Sequence, residues 1–198
     1  MQQPLQETTG MEKVKGGLNV LAFGARALAM PAELFLRRSG TFGHRYFGFQ
    51  ALAGIIAIPL WSMFWPDRSP VWLVRFMFLV LAMLLIVRIR TALRGARSNN
   101  FHSGYGGLPR LTRLLGAHRE RMLKCGVEPL VTFVAGAFLC ALDEPLGSFV
   151  MASGAGLYLS ANLVEASIQA RIADLNDSML EQREVLDRWR TMQQDRRN

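Results

Sequence analysis

Residues 46–65 read YFGFQALAGIIAIPLWSMFW, twenty positions in a row without a charged side chain. That run constrains the fold more than any other feature. A helix rises about 1.5 Å per residue, so roughly twenty apolar residues match the hydrocarbon core of a bilayer. Three further blocks repeat the pattern. Residues 71–87 carry one charge, Arg75; residues 127–142 carry one near their start, Glu128; residues 146–164 carry none. A soluble helical bundle seldom leaves such long stretches without a charge. The turn-forming segments PDRSP and DEP join the blocks in pairs. The expected fold is therefore all-α: an integral membrane protein of two transmembrane helical hairpins, with four spans at 46–65, 71–87, 127–142 and 146–164. Both short turns face the same side.

Charge selects that side. The chain has 23 Lys and Arg against 15 Asp and Glu, a net charge of +8, although its mean hydropathy is positive at +0.17. The cations lie ahead of the first span, in the connector 88–126 and beyond the fourth span. Among the turns and spans, only Arg68 and Arg75 are basic. Positive residues stay on the cytoplasmic side, so both termini and the connector are expected inside, in a bacterial cytoplasmic membrane. The same distribution removes most of the case for nucleic acid as a partner, since anionic headgroups account for the basic excess.

Residues 1–16 read as a flexible N-terminus and 17–164 as the membrane domain. Within that domain, Asn19, Arg26, Glu33 and Arg37 fall at spacings of four and seven with Lys15 just ahead, a narrow polar stripe on one helix. This predicts a helix over 17–38 lying in the inner interface, bent at Pro31. A fifth span is the alternative, and it would place Arg26 near mid-bilayer at a cost of a few kcal/mol. Cys125 and Cys140 are too far apart along one helix to form a disulfide.

Helices in lipid approach closely through small residues. Gly136 and Cys140 on the third span, and Ala152, Gly156 and Ser160 on the fourth, form stripes expected to face each other. Arg75 is an intramembrane charge that either reaches the outer surface, pairing with Asp67, Asp143 or Glu144, or lines a transport path. Glu128 and Glu165, near inner span ends, are expected to pair with arginines such as Arg88 or with Lys124.

The connector holds the stretch that most resembles chemistry, FHSGYGGLP at 101–109. It lacks the phosphate-loop pattern, has no acid nearby in sequence to orient His102, and shows no metal-ligand spacing. It sits between two basic helical patterns. Arg90, Arg94 and Arg97 share one face; Leu111, Leu114, Leu115 and Met122 share another, flanked by Arg110, Arg113, Arg121 and Lys124. A polar turn is the plainest reading, with Tyr105 anchored at the interface. The alternative is an anion or lipid-headgroup site made by Arg90, Arg94, Arg97, His102, Tyr105, Arg110, Arg113 and Lys124.

Residues 165–198 contain neither glycine nor proline. Ile168, Ile172, Leu175, Met179, Leu186 and Trp189 alternate steps of four and three, with Gln182 in the one gap, which is a coiled-coil-like seam. Three functions follow. The first is a non-enzymatic membrane scaffold or assembly subunit that recruits a partner, or itself, through this helix. The second is a membrane enzyme or binder of phosphorylated headgroups at the 101–109 loop. The third is a small transporter or channel subunit using Arg75. The sequence calls for no cofactor and no metal.

Overall fold

A computed structural model describes residues 5–43, 46, 48–95, 106–112 and 120–195. Its described elements are helical, and no β-strand occurs among the described residues. Helix α1 runs Leu5–Leu36, α2 Phe49–Trp61 and α3 Val71–Gly95. A short helical lead-in, Glu120–Met122 followed by a π-turn at Leu123–Val127, opens into α4, Glu128–Cys140. Helix α5 runs Glu144–Asp195. The chain divides into two units, Met1–Ala161 and Asn162–Asn198.

Among the described residues, three helices are long and apolar enough to cross a membrane: Gly16–Leu36, Val71–Leu93 and Glu120–Cys140. The first is the segment whose polar stripe led to the interfacial expectation. Phe49–Phe64 is apolar but shorter, because the chain before it is otherwise engaged. Tyr46 reaches back to α1, so the helix starts at Phe49 rather than at 46. After Pro59 the helix tightens into a 3₁₀ turn at Ser62–Phe64, where the Ser62 hydroxyl donates to the Pro59 carbonyl at 2.7 Å.

Proline also shapes the lead-in to α4. Pro129 has no N–H to bond to the carbonyl four residues back. The chain ahead of it widens into the π-turn, in which the Glu128 N–H bonds to the Leu123 carbonyl. In α1, Pro31 leaves the Ala27 carbonyl without its helical donor. Gly54 of α2 packs against that carbonyl, so closely that a Cβ on Gly54 would lie 2.6 Å from the oxygen. Only glycine permits this approach between α1 and α2.

The main apolar cluster of the first unit draws on α1, α2, α3 and α5. Leu73, Val80 and Val87, seven residues apart on α3, are buried with Met30 and Leu34 of α1, Ile58 of α2, Phe149 of α5 and Phe42. Trp61 and Phe76 meet Phe149 edge-on, at ring-centroid distances of 5.7 and 6.0 Å. The outward faces are apolar too. Phe78 and Leu85 of α3 are each 62 % exposed, and Leu130 and Phe138 of α4 are 63 % and 75 % exposed. Apolar surface on that scale marks a contact with lipid or protein.

The small residues serve helix contacts in a different pairing from the expected one. Gly136 of α4 faces Met151, where a Cβ would lie 2.5 Å from the Met151 nitrogen. Cys140 abuts Gly147, and its Sγ is 3.9 Å from the Met151 Sδ. Gly156 instead faces α1, where a Cβ would lie 2.7 Å from the Ala25 carbonyl oxygen. Helix α5 thus presents Gly147 and Met151 to α4 and turns Gly156 toward α1, because neighbours so close in sequence point in different directions around one helix. Ser160 is buried and its hydroxyl returns to the Leu157 carbonyl, whereas Ala152 is half-buried.

The two short turns lie together. Arg68 of the first pairs with Glu144 at the start of α5 at 3.1 Å, and the Trp61 indole N–H donates to the Ser148 hydroxyl at 3.0 Å.

Candidate functional site

Two chain segments meet beyond the C-terminus of α1. Residues 37–42 run antiparallel to 106–109 through bridges between Arg37 and Pro109 and between Phe42 and Gly106. Backbone bonds run from Arg38 N–H to the Leu108 carbonyl and from Arg110 N–H to the Leu36 carbonyl, at 3.0 and 2.9 Å. The Thr41 hydroxyl accepts from the Leu108 N–H at 2.8 Å. Gly107 adopts φ +82° and lies flat under the Phe42 ring, where a Cβ would approach within 2.9 Å. Glycine is required here for both the backbone angle and the space.

Beneath this clasp lies a buried ionic cluster. Arg37 is 4 % exposed and its guanidinium serves four acceptors. Nε donates to Glu128 Oε2 at 3.2 Å; Nη1 meets Glu33 Oε1 at 3.0 Å, the Tyr46 hydroxyl at 3.2 Å and the Gly106 carbonyl at 2.8 Å. The Tyr46 hydroxyl in turn donates to the Glu33 carboxylate, at 2.8 and 2.9 Å from its two oxygens. The Arg26 guanidinium sits over the Tyr46 ring, 5.1 Å from its centroid, as a cation–π contact. Burial works to lower the Arg37 pKa, but the Glu33 and Glu128 carboxylates outweigh it and hold the guanidinium above its ordinary range. Burial, reinforced by the Glu33 carboxylate, pushes the Tyr46 phenol up and keeps it protonated. Glu128 Oε1 is buried and has no hydrogen-bond partner among the described residues.

Glu128 pairs with an arginine, as expected, but with a different one from Arg88. Its ion-pair partner is Arg37, ninety-one positions away in sequence, while Lys124 pairs with Glu120 one turn away. Chemically, the cluster pins α1, the loop before α2, the connector and α4 to one charge. Most of its polar groups are directed at one another, and Arg26, Glu33 and Tyr46 also line a crevice of about 10 Å³.

The expected anion site is only partly within the described residues. Arg97, His102, Tyr105 and Arg113 lie outside them, as does the Arg94 side chain. Arg90 Nη1 donates to the Ser39 hydroxyl at 2.6 Å, and Arg110 Nε donates to the Arg37 carbonyl at 3.3 Å. Arg90, Arg110 and Lys124 thus contact groups of the protein itself. Arg75 is exposed and stacks on Trp72 of the same helix, 4.8 Å from the ring centroid. The described residues include no His, Cys or carboxylate cluster able to hold a metal ion, and Cys125 and Cys140 are not joined in a disulfide.

Cavities among the described residues include two larger ones. One, of about 350 Å³, opens beside the short turns and is lined by Arg68, Trp72, Asp143 and Glu144 among others. The second, of about 190 Å³, is an apolar crevice between α1, α3, α4 and α5 that includes Phe35, Phe76, Leu139 and Val150.

The second unit, Asn162–Asn198, is described only as helix up to Asp195. Every seam residue is exposed: Ile168, Ile172, Leu175, Met179, Leu186 and Trp189, together with Leu180, Val185 and Met192. The expected i, i+4 pair between Glu184 and Arg188 is present, and Arg190 meets Asp187 at 3.6 Å. Sequence reasoning found this seam but not the buried cluster, whose one sequence signal is the Glu33–Arg37 spacing within the α1 stripe. No protein-family model, no curated protein and no solved structure matches the chain.

Proposed function

We propose that this chain is a non-enzymatic, multi-pass membrane anchor that recruits a partner of a larger membrane complex through the seam of its C-terminal helix. In this reading the apolar stretches of α2 to α5 cross the membrane as two hairpins. The connector 88–126 and both termini face the cytoplasm of a bacterial cell, and α1 lies along the inner side. The observation that carries the proposal is the seam itself. An isolated helix draws most of its stability from packing an apolar face, yet from Ile168 to Met192 the apolar residues of that face are exposed. The ionic cluster supports the same reading, because the Arg37 ion pairs to Glu33 and Glu128 tie α1 to α4 as a platform. Arg75 on the Trp72 ring favours a structural role over a transport path.

A second topology has one observation in its favour. Gly16–Leu36 is itself long and apolar enough to cross, which would put the N-terminus outside and leave the rest of the arrangement intact.

The test is co-purification in mild detergent of the full chain and of a chain ending at Val164. The proposal expects a stoichiometric partner on the first and its loss from the second. An association unchanged by the truncation contradicts it.

A further inference from the structure

Resting on the anchor reading, we infer that the occupant of the C-terminal seam is an amphipathic helix of another protein whose flanks carry carboxylates, rather than a second copy of this chain or the membrane surface. The alternation of four and three assigns Ile172, Met179 and Leu186 to one seam position of the heptad and Ile168, Leu175, Gln182 and Trp189 to the other. The positions that border a coiled-coil seam choose its partner through charge. Here they hold Arg171, Arg183 and Arg190, and from Gln169 to Met192 they hold no acid. The acids Asp174, Asp177, Glu181, Glu184 and Asp187 all fall away from the seam, on the back of the helix. Arg190 does reach Asp187 at 3.6 Å, but both side chains are at least 70 % exposed, and such a pair contributes little.

A second copy would place these arginines opposite Asn176, Ser178 and one another's neutral neighbours, with no carboxylate to receive them. A membrane surface fits less well for two reasons. The apolar stripe follows the narrow seam of a coiled coil, widened only by Leu180, Val185 and Met192, rather than the broad face of an interfacial helix, and Gln182 sits in its middle, as polar register residues do. The segment 165–198 also carries seven acids against six arginines, so anionic headgroups gain little from it as a whole. A helix with Glu or Asp at its flanking positions meets all three arginines.

The experiment uses the full-length protein in nanodiscs of zwitterionic lipid. Two synthetic heptad-repeat helices serve as probes, both with leucine seams, one with Glu at the flanks and one with Lys. Binding is read by fluorescence anisotropy, and hydrogen exchange follows residues 165–192. The inference expects the Glu-flanked helix to bind about tenfold or more tightly than its Lys-flanked twin, with protection confined to the seam. Arg183→Glu combined with Arg190→Glu is expected to invert that preference. These sites are exposed, so the variant folds as the parent does. Equal binding of the two helices overturns the charge inference while leaving the anchor reading standing. Protection without any probe, with a dimeric mass, overturns it in favour of a second copy. Protection that appears only when the discs contain phosphatidylglycerol overturns it in favour of the membrane. Association unaffected by the truncation at Val164 is the separate result that removes the anchor reading.

Discussion

Replacing Arg37 with methionine tests whether the ionic cluster holds the first unit together. The substitution keeps much of the side-chain length and removes the charge. Glu33 and Glu128, 3 % and 1 % exposed, then face each other without the cation between them. The Gly106 carbonyl and the Tyr46 hydroxyl lose a donor as well. Breaking a buried pair by removing one partner costs about 3–5 kcal/mol, most of it from the stranded charge. Unfolding by SDS titration in mixed micelles measures the loss. If the stranded carboxylates are the cause, neutralising them restores stability. Arg37→Met combined with Glu33→Gln and Glu128→Gln should recover more than half of what the single change loses, a non-additivity that a cycle of variants resolves. A single variant within about 0.5 kcal/mol of the parent, as for an ordinary surface site, would refute the reasoning. So would a triple variant no more stable than the single one.

Smaller perturbations follow from other contacts. Gly54→Leu drives a side chain into the Ala27 carbonyl and should cost about 1–3 kcal/mol by overpacking, whereas Gly24→Ala, with open space around it, should be neutral or mildly stabilising in the same titration. Gly107→Ala combines a left-handed backbone angle with contact against Phe42 and should cost at least about 1–2 kcal/mol, read as a lower midpoint. The Tyr46 phenol, raised by burial and by Glu33, should stay un-ionised as pH rises through the usual range near about 10. The unfolded chain releases this proton first, so the contribution of Tyr46 to stability is full below that range and declines above it. The 295 nm titration of the parent minus Tyr46→Phe should show no tyrosinate from this residue before unfolding. Arg75→Gln, which removes only an exposed stack on Trp72, should lower stability by about 0.5–1 kcal/mol and no more.

The helices of the first unit were legible because lipid-matching length and freedom from charge are one-dimensional properties. Those of α3, α4 and the apolar part of α5 emerge with their turns nearly where PDRSP and DEP place them. The polar stripe of α1 was legible as well, and Glu33 and Arg37 in it are the members that end up buried. What the stripe could not reveal is what lies opposite. Glu128 meets Arg37 only because the connector folds back over residues 37–42, and a pairing of isolated bridges has no periodicity to detect. The same holds for Gly156. Its spacing announced a close approach, but not that the neighbour would be α1 rather than α4. The C-terminal helix was legible because helix formation there is a property of one segment alone, and its apolar residues are exposed along it.

The most direct test of the whole account is a map of which side of the membrane each connection occupies. Single cysteines introduced at Ser69, at Asp143 and at Thr112 and Ser178, in a background lacking Cys125 and Cys140, are labelled in intact cells with a membrane-impermeant maleimide. The account predicts labelling at Ser69 and Asp143 from outside, and labelling at Thr112 and Ser178 only after lysis. External labelling at Thr112, or recovery of the protein from the soluble fraction without detergent, would contradict it.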